Sequence, residues 1–465
     1  MTPRDTTSDE WGGPVGSGDP EPPPPVRGLV AVLCLVQFVD VLGVTVVITA
    51  LPAMLRDLDA SPSQGTLIVT GYAMFFGGLL MTGARVGDRC GHRRTIVVSC
   101  GVFAVASLVG AVAQGVSLLA ASRCLQGAAA AAAVPAALRL LTTLTEEGRA
   151  RRRALAAWSA AGAAAGAGGF VVGGVLTQAV SWRAIFWLFI ALAVGLVPAL
   201  LRTVPSDQGR GPRLPLSPLA SVLLTSAVMA LVLGGTVVAE PARRAVGAVL
   251  VLVAALGAAA YVAVERRSAH PLVPRAAFST APLRAGTVGS FLNTATTSSA
   301  ATLVMLELQD RLGRSPLEAA ALLLPMSLVV IVGSVLAAPL LRWCSPRAAL
   351  GIGLGAIAVG TGVLPAAATL VTIPLASAVS GLGLGIASVA ANGMATDVAP
   401  DLRGAASGLV NTAAQLGTAV GTAALILLAS ATDPRMAWAV ATAVALAAAV
   451  FFVGTGRRAS ARHRS

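Results

Sequence analysis

The sequence predicts an all-α polytopic membrane protein built as two six-helix bundles with two extra central helices, fourteen spans in total. Three observations carry that expectation. Only 11% of the 465 residues are charged, where a soluble chain carries about 25%. Apolar runs recur at the length needed to cross a hydrocarbon layer about 30 Å thick, and the mean hydropathy is +0.81. The basic residues between those runs gather on one side of the membrane the runs define.

In chain order, residues 1–28 form a Pro/Gly/Asp-rich tail that is too polar to pack a core and is expected to be disordered. The run after it is of full membrane length, so the tail does not read as a cleaved signal. Fourteen apolar runs follow, at roughly 29–50, 65–84, 95–115, 117–138, 155–177, 183–201, 219–239, 246–264, 283–306, 318–340, 347–366, 370–391, 404–429 and 436–454. They group into a first block at 29–204, a linker at 205–282 and a second block at 283–454, with a short tail at 455–465. The linker decides between twelve and fourteen spans. Its two apolar stretches, separated by Glu240-Pro-Ala-Arg-Arg244, read as a membrane hairpin rather than a polar connector.

Charge placement orients the chain. All 33 basic residues are Arg. With both termini inside, 24 of them fall in cytosolic segments and seven in outer loops, while Arg123 and Arg139 lie inside or at the end of the fourth run. The net charge of +13 is therefore a product of topology, not a surface for nucleic acid. A chain without Lys cannot carry the standard phosphate-binding Gly-x-x-x-x-Gly-Lys-Ser/Thr loop, which excludes a nucleotide-driven pump of that type. Cys34, Cys100 and Cys124 lie in apolar runs and Cys90 and Cys344 in cytosolic segments, so no disulfide is expected. His92, His270 and His463 are isolated, and no metal-ligand spacing is visible.

The most informative stretch is Ala84-Arg-Val-Gly-Asp-Arg-Cys-Gly-His-Arg-Arg94, a compact charged loop between two membrane-length runs. It resembles the signature between helices 2 and 3 of the major facilitator superfamily, Gly-x-Leu-Ala-Asp-Arg-x-Gly-Arg-Arg. Asp88, Arg89, Gly91, Arg93 and Arg94 match, while Ala84 and Val86 replace Gly and Leu. Arg123-Cys-Leu-Gln126-Gly127 is similar to the family's Arg-x-x-Gln-Gly in helix 4. Leu308-Gln309, Ser315-Pro-Leu-Glu-Ala319, Pro325, Arg403-Gly-Ala-Ala-Ser-Gly-Leu-Val-Asn411 and Gln415-Leu-Gly417 look like further family hallmarks, specifically of the fourteen-helix drug:proton antiporter branch. Two stretches depart from it. The helix 5 antiporter motif has Gly169-Phe170-Val-Val-Gly173-Gly174, with Phe where the branch has Pro. In helix 1, Gly43 and Ile48 stand where the branch has Asp and Asn, and the acid lies one turn earlier, at Asp40.

The resemblance implies a proton-coupled secondary transporter that exports amphipathic drug-like compounds or a natural product across the cell membrane. It implies no cofactor beyond the proton motive force; its partners are a small-molecule substrate, protons and the lipid bilayer, and the chain acts as a monomer. The residues add candidate sites. A charged group at mid-membrane costs at least ~2.5–3.5 kcal/mol, so Asp40 marks either a functional site or a structural ion pair. Burial and a nearby cation together set how readily such a carboxyl carries a proton. Arg123 is its natural partner and cannot itself release a proton. Gln37 and Gln126 share helical faces with these two and are candidates to line a cavity. Asn293 with Thr297, and Asn411 with Gln415, pair on their helices in the second block; each pair either lines a cavity or bonds between helices. Glu307 reads as a solvated rim residue. Gly169, Gly173 and Gly174 give the fifth run a small-residue face for close packing. Asp88 is expected to dock at the N-terminus of the helix that begins near Gly404, with Arg85, Arg89, Arg93 and Arg94 bracing a cytosolic gate. The alternatives are an uptake carrier or uniporter of the same fold and, in another class, a membrane enzyme or receptor. The acids and histidines form no cluster at one membrane face, as an enzyme would need.

Overall fold

The structure is a computed structural model that describes residues 26–462 apart from 147, 207–216, 239–242, 269, 270, 272–279, 397 and 399–402. The expected terminal tail at 1–25 lies outside the described residues. Fourteen α-helices account for nearly all the described chain. The first six are α1 (Val26–Asp57), α2 (Pro62–Cys90), α3 (His92–Ala111), α4 (Val116–Thr143), α5 (Arg149–Ala179) and α6 (Arg183–Thr203). Two more, α7 (Pro218–Val238) and α8 (Arg244–Arg267), form the hairpin. The last six are α9 (Ala281–Leu306), α10 (Pro316–Trp343), α11 (Pro346–Val363), α12 (Thr372–Thr396), α13 (Arg403–Ala431) and α14 (Pro434–Arg462). A π-turn, Glu307–Arg311, extends α9.

The chain is an all-α polytopic membrane protein. Twelve of the helices are long and apolar enough to cross a membrane by length and composition. Two fall short of that description for different reasons. The described apolar part of α7 is the shorter stretch Pro218–Gly234, and α9 carries a Thr/Ser-rich run from Thr294 to Thr302.

Local chemistry starts equivalent helices alike. Ser61 caps α2, with its backbone N–H bonded to Gln64 Oε1 at 3.0 Å and its hydroxyl accepting from the Gln64 N–H at 3.4 Å. Ser315 caps α10 through the same box with Glu318, at 2.9 and 3.3 Å. Pro follows the cap in both, where its missing N–H breaks no helical bond.

Helix pairing repeats between the halves. In the first six helices α1 packs on α5, α2 on α4, and α3 on α4 and α6. In the last six α9 packs on α13, α10 on α12, and α11 on α12 and α14. The halves join through α2 against α13 and α5 against α10, while α7 lies along α2 and α13 with α8 outside it. Glycine makes several of these contacts close enough for backbone to meet backbone. A Cβ at Gly127 of α4 would overlap the Tyr72 carbonyl of α2, and one at Gly381 of α12 would overlap the Met326 carbonyl of α10.

The charged stretch 84–94 is not the loop its composition predicts. Helix α2 runs to Cys90 and α3 starts at His92, leaving Gly91 alone between them. Gly91 turns the chain with φ 94° and ψ 135°, a region that side chains with a Cβ rarely enter. Charged residues can continue a helix once it leaves the bilayer, so their appearance marks the membrane surface rather than the helix end.

Candidate functional site

A polar network crosses the otherwise apolar core of the first bundle. It links α1, α2, α4 and α3, and its members Asp40, Tyr72, Arg123 and Gln126 are all buried. The Tyr72 hydroxyl donates to Asp40 Oδ1 at 2.5 Å. The Arg123 guanidinium carbon lies 4.6 Å from the centre of the Tyr72 ring, on its face. Arg123 is held by three further bonds: Nη2 donates to the Gly43 carbonyl at 2.8 Å, Nε to the Ile68 carbonyl at 3.3 Å and Nη1 to Gln126 Oε1 at 2.6 Å. Gln126 Nε2 in turn donates to Ser107 Oγ at 2.8 Å, and Ser107 donates to the Phe103 carbonyl at 2.7 Å.

The close packing of α2 on α4 is what permits this. Gly71 of α2 faces Ala120 and Arg123, and Gly127 of α4 faces Tyr72. With no side chain at either position, Arg123 reaches the Ile68 carbonyl of α2 directly and passes on to the Gly43 carbonyl of α1. No ion pair joins Asp40 to Arg123; Tyr72 stands between them, touching one with its hydroxyl and the other with its ring. The direct pairing suggested by residue type is replaced by a relay through an aromatic ring. The signal for Tyr72 was weak: it is one of only two tyrosines in the chain, placed mid-run in the second apolar stretch.

Asp40 also borders a cavity of about 30 Å³ lined by Val36, Ser99, Cys100, Phe103, Ala130 and Leu196. That is room for about one water beside the carboxylate. Gln37, three residues earlier, turns elsewhere. It lies against Gly162 of α5, where a Cβ would sit 3.3 Å from its Nε2, and its Oε1 is buried without a partner.

In the second bundle, Asn293 donates from Nδ2 to Ser388 Oγ on α12 at 3.0 Å, and the Thr297 hydroxyl bonds back to the Asn293 carbonyl. Both side chains are buried; Asn293 bonds across to α12, while Thr297 bonds within its own helix. Asn411 is exposed, whereas Gln415 is half-buried against Gly77 of α2. On α5, Gly169 lies against Thr45, Gly173 against the Val46 carbonyl, and Gly174 against Pro316 and Leu317 of α10. The three glycines thus seat α5 on both α1 and α10. Phe170, standing where the branch has Pro, is buried in the core.

At the α2–α3 junction, Asp88 Oδ1 lies 3.4 Å from His92 Nε2. Arg85 donates to Ser217 Oγ at 3.1 Å and to the Pro271 carbonyl at 2.5 Å, and Arg93 donates to the Leu201 carbonyl at 2.7 Å. Arg89 and Arg94 are exposed. The side chains that begin α13 lie outside the described residues, and with them the expected docking of Asp88 there. Two of these arginines therefore tie the junction to the linker and to α6.

On the opposite side the halves touch. Gln309 of the π-turn donates to the Thr49 carbonyl of α1 at 2.8 Å. Burial raises the Asp310 carboxyl above the usual carboxylate range, and Arg56 of α1 draws it back down across the interface. Glu307, expected at a solvated rim, is buried in a 2.8 Å ion pair with Arg311; the wide π-turn carries it inward.

Two pseudo-repeated six-helix halves enclosing buried polar groups define a membrane carrier. The pattern of the Major Facilitator Superfamily matches residues 33–286 and 286–465, and the chain belongs to that family of transporters. It is 32% identical over 401 residues to the lincomycin resistance protein of Streptomyces lincolnensis, covering 85% of this chain and 82% of that one. It is 33% identical over 398 residues to the tetracenomycin C resistance and export protein of Streptomyces glaucescens, covering 83% and 73%. Among solved structures, a bacterial homologue of the human lysosomal transporter Spinster superposes with a TM-score of 0.67 at 14% identity, covering 93% of this chain and 97% of that one.

Proposed function

We propose that the chain is a proton-coupled exporter of amphipathic, antibiotic-like small molecules across the cell membrane, working as a monomer by alternating access between its two bundles. All fourteen helices cross the bilayer in this reading, with both termini and the α2–α3 junction in the cytosol. The proton motive force drives export in place of a cofactor. The observation that carries the reading is the Asp40–Tyr72–Arg123 relay, in a chain whose relatives are named for antibiotic resistance and export.

Asp40 is the group that loads and unloads the proton. Tyr72 holds the carboxylate by its hydroxyl, and Arg123 acts on Asp40 through the Tyr72 ring and its dipole. Because Arg123 stays charged at any working pH, it biases the exchange without taking part in it. The relay lies between α1 and α2, and those helices bear on α10 and α13 of the other half. A change of charge at Asp40 is therefore felt where the halves rock. Gln309, Thr49 and Gly174 close the outer side; Asp88 and its neighbouring arginines latch the inner one.

The test uses inverted membrane vesicles and a panel of antibiotics in a pump-deficient host, with wild type beside Asp40→Asn. Uptake into vesicles that stops with an uncoupler, and resistance lost in the variant while the protein remains in the membrane, are the expected results. Undiminished transport in Asp40→Asn sinks the reading. Uptake into cells rather than export favours the carrier alternative that Phe170 in α5 leaves open.

A further inference from the structure

A second cavity, of about 360 Å³, lies at the seam between α2 and α13, outside the relay. Its walls include Gly78 of α2, Leu224 of α7, Tyr261 of α8, Thr287 and Phe291 of α9, and Thr412 of α13. That volume is within the range of small-molecule sites, roughly 300–1,000 Å³, and the lining is almost wholly apolar.

The hairpin forms one wall because it is stapled to α2. Gly78 lies against Thr225, the hydroxyls of Thr82 and Ser221 bond, and Arg85 reaches Ser217 at 3.1 Å. Helix α8 packs extensively on α7 alone. Among the described residues, no side chain walls the cavity between α8 and α9, where Val288 and Val262 are exposed.

The rim of that gap at the membrane surface is basic. Arg266 and Arg267 end α8, and Arg284 lies in the first turn of α9; all three are exposed. Thr287 and Val288 follow Arg284 by three and four residues, so they continue its face into the bilayer. Arg85 and Glu265 complete the charge, and they act on each other. Among the described residues of the rim, the balance is four arginines against one acid. An apolar slot open to the bilayer beneath an exposed basic rim matches an acyl chain bearing an anionic headgroup.

We propose that this seam holds one anionic phospholipid, with an acyl chain in the cavity and its phosphate on Arg266, Arg267 and Arg284. The site is built from both halves, α2 and the hairpin on one side and α9 and α13 on the other. Its occupant bridges the surfaces that must move past each other.

The purified, delipidated full chain is mixed with phosphatidylglycerol or phosphatidylcholine, and retained lipid is counted by native mass spectrometry. One phosphatidylglycerol stays bound, favoured over phosphatidylcholine by about tenfold or more. Leu224→Trp fills the cavity and loses the lipid, whereas Leu224→Ala enlarges it and keeps the lipid. Replacing Arg266, Arg267 and Arg284 together by Gln makes the two lipids equal; these side chains are at the surface, so this arm stands even if Leu224→Trp does not fold. Equal retention of both lipids by wild type overturns the proposal, as does unchanged retention in Leu224→Trp. Displacement of the lipid by a transported antibiotic also overturns it and makes the cavity a substrate site.

Discussion

Tyr72→Phe is the sharpest test of the relay, because it removes one atom and leaves the packing. The Phe ring keeps the position under the Arg123 guanidinium, now 4.6 Å from the Tyr72 ring centre. What disappears is the hydroxyl that donates to Asp40 Oδ1 at 2.5 Å. A hydrogen bond to a charged group contributes about 1.5–3 kcal/mol. At 1.4 kcal/mol per factor of ten, its loss changes the relative populations of the two states of Asp40 by roughly 10- to 140-fold. Proton-driven efflux measured in proteoliposomes at fixed pH should fall by about tenfold or more, while exchange of labelled for unlabelled substrate, which needs no net proton movement, continues. Equal efflux and an equal proton-to-substrate ratio in Tyr72→Phe and wild type would refute the relay and leave Tyr72 as a packing residue.

Arg123→Met strips donors from the Gly43 and Ile68 carbonyls and from Gln126, all buried; breaking such a charged cluster costs about 3–5 kcal/mol, seen as a lower melting temperature in detergent, and an unchanged melting temperature counts against the network. Gly91→Ala forces a Cβ onto φ 94° and should destabilise the α2–α3 junction by about 1–3 kcal/mol, read as faster limited proteolysis between α2 and α3. Gln309→Leu removes the bond to the Thr49 carbonyl; a single such bond contributes about 0.5–1.5 kcal/mol, so impermeant maleimide labelling of Leu322→Cys, at a half-buried α10 position packed on the core that both halves share, should rise roughly 2- to 12-fold. Asp88→Asn should slow transport by disturbing the inner latch. Normal transport there would leave the charged stretch with its topological role alone.

Much of the architecture was legible because the bilayer imposes one rule on every span. An apolar stretch of sufficient length must close its own backbone hydrogen bonds, so hydropathy locates helices residue by residue. All fourteen runs correspond to helices, including the two in the linker. Asp40 and Arg123 stood out for the same reason, since charge inside an apolar run is expensive wherever it points. The helix boundary at Gly91 was misplaced because a change of composition reports the membrane surface, while helix continuity depends on the backbone.

Helix rotation and pairing were out of reach of the sequence. Gln37 and Asp40 are three residues apart, yet one meets Gly162 on α5 and the other meets Tyr72 on α2. Gln126 looked like a cavity residue and proves to anchor Arg123 to α3. Asn293 shows the same gap: its bond to Ser388 depends on where α12 lies, which no local pattern in α9 reports. By itself the sequence determined the class of protein, the number of helices and the two ionisable residues hidden among them, because those follow from the local cost of placing groups in lipid. Tertiary structure alone put Tyr72 between Asp40 and Arg123 and opened the seam beneath the basic rim. Those outcomes depend on which backbones the glycines allow to touch, and that is decided between helices rather than within them.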